Sequence, residues 1–168
     1  AQDLVSSLSQ KLKIKLELHQ IRCQQASYVD FLRETSHRVF QANFPVFDAS
    51  VHLYIDEVLA SALVNRTLGG RGEPAPDTSL SAAERAVLLQ LVTAMASQLD
   101  GAWQGAFPKF AVSATDTQSA LLVDNTLAKE DTYVVFGLDL VMGDEPPRCI
   151  RLGYRRDILY KLIGDFNL

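Results

Sequence analysis

Between Ser81 and Trp103 the chain repeats apolar residues at three- and four-residue intervals: Val87, Leu88, Leu91, Val92, Met95, Leu99 and Trp103. That spacing places them on one continuous face of a helix. Ser81 and Glu84 have the separation of a capping box, which starts such a helix by pairing side chains with its free N–H groups. The pattern predicts a long helix over about 81–104. A helix with so long an apolar face needs another layer to bury it. Thr132 to Met142, an apolar run rich in β-branched and aromatic residues, supplies a strand for that layer.

Other segments extend the pattern. Leu4, Leu8 and Leu12 are four apart and predict an opening helix. Lys11 to His19 alternates charged and apolar residues, predicting a strand that turns Leu12, Ile14, Leu16 and Leu18 to the core. The two readings compete for Lys11 and Leu12. Ser27 to Arg33 reads as a short helix or turn, His37 to Phe44 as a strand ended by Pro45, and Ser50 to Ile55 as a strand. A helix from Asp56 to about Leu68 follows, with Val58, Leu59, Ala62 and Leu63 inward and Glu57, Asn65 and Arg66 outward. After Pro108, Phe110–Ala114 and Ser119–Val123 are strand candidates. A Gly143–Pro147 turn leads to a strand over Arg148–Leu152, and a helix from about Arg155 to Phe166 carries Ile158, Leu159, Leu162 and Ile163 inward. The expected fold is α+β: a mainly antiparallel sheet with helices covering one side. It forms a single domain over 1–168, made of two pseudo-repeats, about 1–68 and 81–168, joined by the 69–80 loop.

Composition narrows the function. With 48% hydrophobic and 21% charged residues the chain has ample material for a core. A net charge of -4 and a pI near 5.3 lack the basic footprint of a nucleic-acid binder. No apolar run approaches a membrane span, and Ala1–Leu4 does not read as a secretory signal. Cys23 and Cys149, far apart and outside any CxxC pair, read as reduced, buried thiols of a cytoplasmic protein.

Catalytic signatures are missing. Gly70-Arg71-Gly72 continues as Glu-Pro-Ala, which fits neither a dinucleotide fingerprint nor a phosphate loop. No nucleophile elbow occurs. His19, His37 and His52 are isolated in expected strands, without partners at metal-ligand spacing, and read as polar-face residues. Asp56 with Glu57 suits a helix start, and Asp144 with Glu145 a turn. Lys11, Lys13 and Lys15 read as a solvated strand row that discourages strand addition. Arg148, Arg151, Arg155 and Arg156 are a denser cluster that either binds an acidic partner or balances Asp144, Glu145 and Asp157. The expectation is no catalytic residue, no metal and no cofactor.

The remaining feature is the loop Leu68-Gly69-Gly70-Arg71-Gly72-Glu73-Pro74-Ala75-Pro76-Asp77. Its glycines permit backbone angles closed to other residues and leave the main chain bare, while the prolines stiffen the exit. Gly69 stands where a helix ends in a left-handed residue. A helix C-cap followed by a plain linker accounts for the segment, and so does a docking loop between two helices.

Val64 to Gly72, Pro74 and Pro76, Leu80 to Val87, and Gly101-Ala102-Trp103 together resemble the middle domain of the FliM family of flagellar motor switch proteins. The specific motifs cover about residues 58 to 108, and the order of elements nearly the whole chain. The resemblance implies the pseudo-symmetric fold shared with FliY and the CheC-type chemotaxis phosphatases. It implies a non-enzymatic scaffold in the cytoplasmic C-ring at the base of the motor, which helps to switch rotation in response to chemotaxis. Gly69, Gly70, Arg71 and Gly72 would contact the rotor protein FliG, and Arg151, Arg155 and Arg156 are a candidate secondary contact. Neighbouring FliM copies are further expected partners. FliN and phosphorylated CheY would be reached through segments without a counterpart here, or weakly through this domain, as expected of an excised middle domain or a reduced relative. No nucleic acid and no membrane insertion are expected. In the phosphatase relatives a Glu is followed three residues later by an Asn. Glu84 matches the Glu, but Val87 stands at the Asn position and Leu80 at the leading one, so catalysis is not expected. The alternatives are a CheC-like phosphatase acting on phosphorylated CheY, or a ring component of a type III secretion apparatus.

Overall fold

A left-handed residue settles the competition at the N-terminus. The helix α1, Gln2–Leu12, takes Lys11 and Leu12, and Lys13 then reverses the chain at φ 53°. Strand β1 starts only at Leu16 and runs on to Ser27. The period-two pattern fitted a strand because Leu12 and Leu16 also lie four apart, a spacing that suits both elements. Lys11, Lys13 and Lys15 therefore form no row on a strand. Lys11 sits in the last turn of α1, where a cation complements the helix dipole. Ser9 fastens the reversal: its hydroxyl donates to Leu16 O at 3.2 Å and accepts from Leu16 N at 3.1 Å.

The computed structural model describes residues 2–13, 15–33, 39–46, 49–73, 80–102 and 131–165. The strands expected at 110–114 and 119–123, together with His37, Trp103 and the side chains of Leu99, Leu162 and Ile163, lie outside the described residues. The described elements continue with α2 (Tyr28–Arg33), β2 (Val39–Val46), β3 (Ala49–Asp56), α3 (Glu57–Thr67), α4 (Ala82–Ala102), β4 (Thr132–Met142), β5 (Arg148–Arg155) and α5 (Arg156–Asp165). They form an α+β domain around one sheet in the order β1-β4-β5-β3-β2, with every neighbouring pair antiparallel. Pro45 does not end β2 but pairs within it, opposite Ser50. Among the described residues β2 is an edge strand, where a missing N–H is tolerated.

Alternate residues of the sheet face the helices. Leu53 and Ile55 of β3, Val134, Leu138 and Leu140 of β4, and Ile150, Leu152 and Tyr154 of β5 meet Val5, Leu8 and Leu12 of α1, Leu88, Leu91, Val92 and Met95 of α4, and Ile158 and Leu159 of α5 in one core. Burying each such side chain contributes about 1.5–3 kcal/mol. Helix α3 differs from its expected amphipathic form. Leu59, Ala60, Ser61, Ala62, Leu63 and Val64 are all buried, because α3 touches α1, α4 and three strands at once. Val58, expected inside, is only half-buried.

The second face of the sheet carries α2. Ser27 caps it, accepting from Asp30 N at 3.1 Å. Tyr28 and Phe31 pack with Tyr54, Tyr133 and Val135 in a separate aromatic core. His52 belongs to this core. It is 2% exposed, with Nε2 3.5 Å from Tyr133 Oη, so it is no polar-face residue. The aromatic ring of Phe31 lies directly over Gly153, and a Cβ there would come within 2.8 Å of it. Gly153→Ala is expected to destabilise the domain by about 1–3 kcal/mol through this overpacking. Phe31→Leu in the same chain should recover part of that loss, a non-additivity to be read from urea unfolding of the single and double variants.

Candidate functional site

The expected docking loop begins as a helix terminus. Leu68 caps α3; Gly69 follows at φ 93°. Gly69 N donates to Arg66 O at 3.0 Å and Gly70 N to Asn65 O at 2.9 Å. This pair of bonds is a Schellman motif, which satisfies carbonyls that the helix end leaves open. Gly69 thus has the left-handed role read from the sequence.

Gly70 and Gly72 are needed for other reasons. A Cβ on Gly70 would overlap Asn65 Oδ1 and lie 2.7 Å from its Cγ. That amide oxygen is held in place because it accepts from Gly72 N at 2.9 Å. Gly72 is buried, has φ 87°, and packs near Met142 Sδ and Ala62 O. The loop's N–H groups at 69, 70 and 72 are therefore all used within the chain. Bare glycine here serves internal closure first.

Arg66, expected on the outer surface, is the centre of the arrangement. Its Nε donates to Leu12 O at 3.0 Å, and its terminal nitrogens donate to Lys13 O and Gly70 O at 2.9 Å. One guanidinium joins the end of α1 to the end of α3 and to the loop. A planar fork of donors suits this task, since it binds several oxygens at fixed angles. What the closed loop presents outward is side chain: Leu68, 65% exposed, and Arg71 and Glu73, both exposed. Sequence reasoning placed Leu68 in the loop but missed Asn65 and Arg66 as the residues that close it, although polar residues in a last helical turn beside glycine were a usable signal. Met142 carried none, because it reaches the loop only through the sheet.

The arginine cluster is not one patch. Arg155 pairs with Asp157, Nε to Oδ1 at 2.6 Å. That ion pair raises the Arg155 pKa and lowers that of Asp157. Arg156 is exposed on α5. Arg148 lies on the helix side with Val58 and Met142, whereas Arg151 lines a recess on the opposite face with Arg22 and Cys149. Arg151 and Arg155 stand four residues apart on β5, and Arg156 opens α5. Cys23 is exposed, contrary to the expected buried thiol, and Cys149 is half-buried; both are free. Asp56 caps α3, its Oδ1 accepting from Val58 N and Leu59 N at 3.0 and 3.1 Å. Asp144 and Glu145 are exposed in the β4–β5 turn. No group of three metal-ligating side chains occurs among the described residues.

Glu84 forms the capping box. Its Oε2 accepts from Ser81 N at 2.8 Å and from Ser81 Oγ at 2.6 Å, while Glu84 N donates back to Ser81 Oγ at 3.3 Å. These bonds lower its pKa below the usual glutamate value. Leu80 is buried, and Val87 packs against the core. The carboxylate is occupied by the helix start, and the residue one turn on is apolar.

No protein-family model and no curated protein matches the sequence. Solved structures do match its fold. FliM in a FliG–FliM complex from H. pylori aligns with a TM-score of 0.78 at 20% identity, over 92% of this chain and 86% of that one. The FliM middle domain from Vibrio alginolyticus aligns at 0.71 and 13% identity, over 99% and 92%. Thermotoga maritima FliY aligns at 0.65 and 16% identity, over 97% and 87%. The chain has the fold of FliM middle domains and of FliY.

The loop geometry predicts coupling between Gly70 and Asn65. Gly70→Ala should cost about 1–3 kcal/mol by displacing the Asn65 amide from Gly72 N. In an Asn65→Ala background the same change should cost little, so a double-mutant cycle by chemical denaturation should be strongly non-additive. The cap predicts a pH dependence. A carboxylate whose folded pKa is depressed contributes stability above its unfolded value of about 4.3, lost as pH falls through the folded value. Amide exchange at the start of α4 should accelerate across that acid window, and Glu84→Gln should remove the dependence.

Proposed function

We propose that this chain is a middle domain of FliM type, a non-enzymatic scaffold of the flagellar motor switch that docks onto FliG through residues 69–72 and their neighbour Leu68. The observation that carries this reading is the closed glycine loop, held by Asn65 and Arg66 while Leu68 and Arg71 face outward. A preorganised turn loses little conformational freedom on binding. An exposed leucine beside an arginine supplies the apolar anchor and the charge that interface centres favour. The likeness in fold to FliM from a FliG–FliM complex supports the same partner.

The scaffold reading also draws on α4. Val87 offers no amide to orient an attacking water, and the Glu84 carboxylate is bound to Ser81. No helix among the described residues is long and apolar enough to cross a membrane. We place the domain in the cytoplasmic ring, beside further copies and held at the motor by its partners. We also infer the two pseudo-repeats from the sheet. Leu53 pairs with Leu152, and each stands three residues before the residue that precedes a helix, Asp56 before α3 and Arg155 before α5. A two-fold exchange of the halves through that pair would give this register.

Calorimetric titration with purified FliG tests the docking. Leu68→Ser with Arg71→Glu should weaken affinity at least tenfold, about 1.4 kcal/mol. Both side chains are exposed, so thermal unfolding should stay unchanged. Undiminished affinity would refute the loop as the contact. Phosphate release from phosphorylated CheY, compared with Glu84→Ala, tests the enzymatic alternative; a rate above background that the substitution abolishes would overturn the scaffold reading.

A further inference from the structure

Arg66 draws the end of α1 to the glycine loop, and both segments bring positive charge with them. Lys11 stands in the last turn of α1 and Lys13 just beyond it, while Arg71 follows the Gly70 carbonyl that Arg66 also holds. Lys11, Lys13 and Arg71 are all exposed. The carbonyl oxygens of Lys13 and Gly70 each lie 2.9 Å from a terminal nitrogen of the same guanidinium. The two oxygens are therefore no farther apart than the screening length of about 8 Å at physiological salt. Charges carried on these two stretches of backbone act together.

This charge is not neutralised where it stands. Arg66 directs its donors at three carbonyls, which bind a guanidinium but leave its charge in place. Lys15 differs, being paired with Glu17. Among the described residues no ion pair joins Lys11, Lys13, Arg66 or Arg71 to a carboxylate. Glu73, exposed two residues beyond Arg71, is the one carboxylate of the described loop. Four cations thus gather against a single acid in a chain whose net charge is -4.

That contrast indicates the occupant. A nucleic acid or an anionic membrane is an extended polyanion and would also meet the acidic remainder of the surface, which repels it. A short acidic segment meets only the cations. Leu68, 65% exposed at the end of α3 two residues before Gly70, offers contact to an apolar residue beside the acidic ones. The Arg66 bonds fix the backbone on both sides, so little order remains to be imposed on binding.

We propose that the end of α1 and the glycine loop form one cationic surface, Lys11, Lys13, Arg66 and Arg71, that takes an acidic segment of a protein partner. The inference rests on the loop as docking site; it adds α1 to that site and gives the chemistry of what binds there. Lys13 separates the two, because it lies outside the loop. Asn and Asp tolerate its left-handed angle, so Lys13→Asn removes the charge and Lys13→Asp reverses it, with thermal unfolding expected unchanged. In calorimetric titration with purified FliG, Lys13→Asn should weaken affinity about threefold and Lys13→Asp about tenfold. Raising salt from about 50 to about 500 mM should weaken wild-type binding about tenfold. Loss of affinity on changing Leu68 and Arg71, with no effect of Lys13→Asp or of salt, would overturn this inference and leave the loop as docking site. If FliG does not bind, docking onto FliG falls, and a short peptide of glutamates around one leucine tests the surface itself. With ¹⁵N-labelled protein that peptide should shift the amides of Lys13 and Gly70 saturably, and its glutamine analogue should bind at least tenfold more weakly. Absence of saturable shifts, equal binding of the two peptides, or tighter binding of anionic lipid vesicles or a single-stranded oligonucleotide would overturn the proposal.

Discussion

The pairing of β3 with β5 holds the domain together. The hairpin β2–β3 comes from the first part of the chain and β4–β5 from the last, and Leu53 opposite Leu152 joins them through the middle of the sheet. Both side chains are buried in the core that α1, α3, α4 and α5 cover. The contact is non-local, so its loop-closure entropy must be met by the burial it makes possible. Without it α3 would have no floor, and Met142 would not stand beside Gly72.

The loop depends on that scaffold more than on its own composition. Its glycines look alike in sequence but have three separate reasons. Gly69 adopts a left-handed angle, Gly70 yields to the Asn65 amide, and Gly72 combines a left-handed angle with burial. Arg66 then binds the loop and the end of α1 together. Movement of α1 is thereby coupled to the loop through a single side chain. The loop therefore cannot shift independently of the helix behind it.

Much of the fold was legible because its signals are local. The capping box at Ser81 and Glu84, the helix cap at Asp56, the left-handed Gly69 and the span of β4 all rest on residues within a few positions of one another. The errors arose where distant elements decided. The Lys11–Lys15 row dissolved because α1 kept two of the contested residues. His52 proved buried because α2 roofs its strand with aromatic rings. Cys23 is exposed on β1, a strand that faces solvent along much of its length. The arginines near the C-terminus divided between two faces, because alternation along a strand separates neighbours that a linear reading groups together.

By itself the sequence determined the helices α3, α4 and α5, the strand β4, the α+β class, the helix caps and the place of the glycine loop, since periodicity and capping act over one or two turns of chain. Only the tertiary structure decided the strand order, the burial of α3 on every side, the Arg66 junction and the cationic surface around it. Each of these depends on which segments meet across the sheet. That is settled by the burial of apolar surface between residues far apart in the chain, which no local pattern encodes.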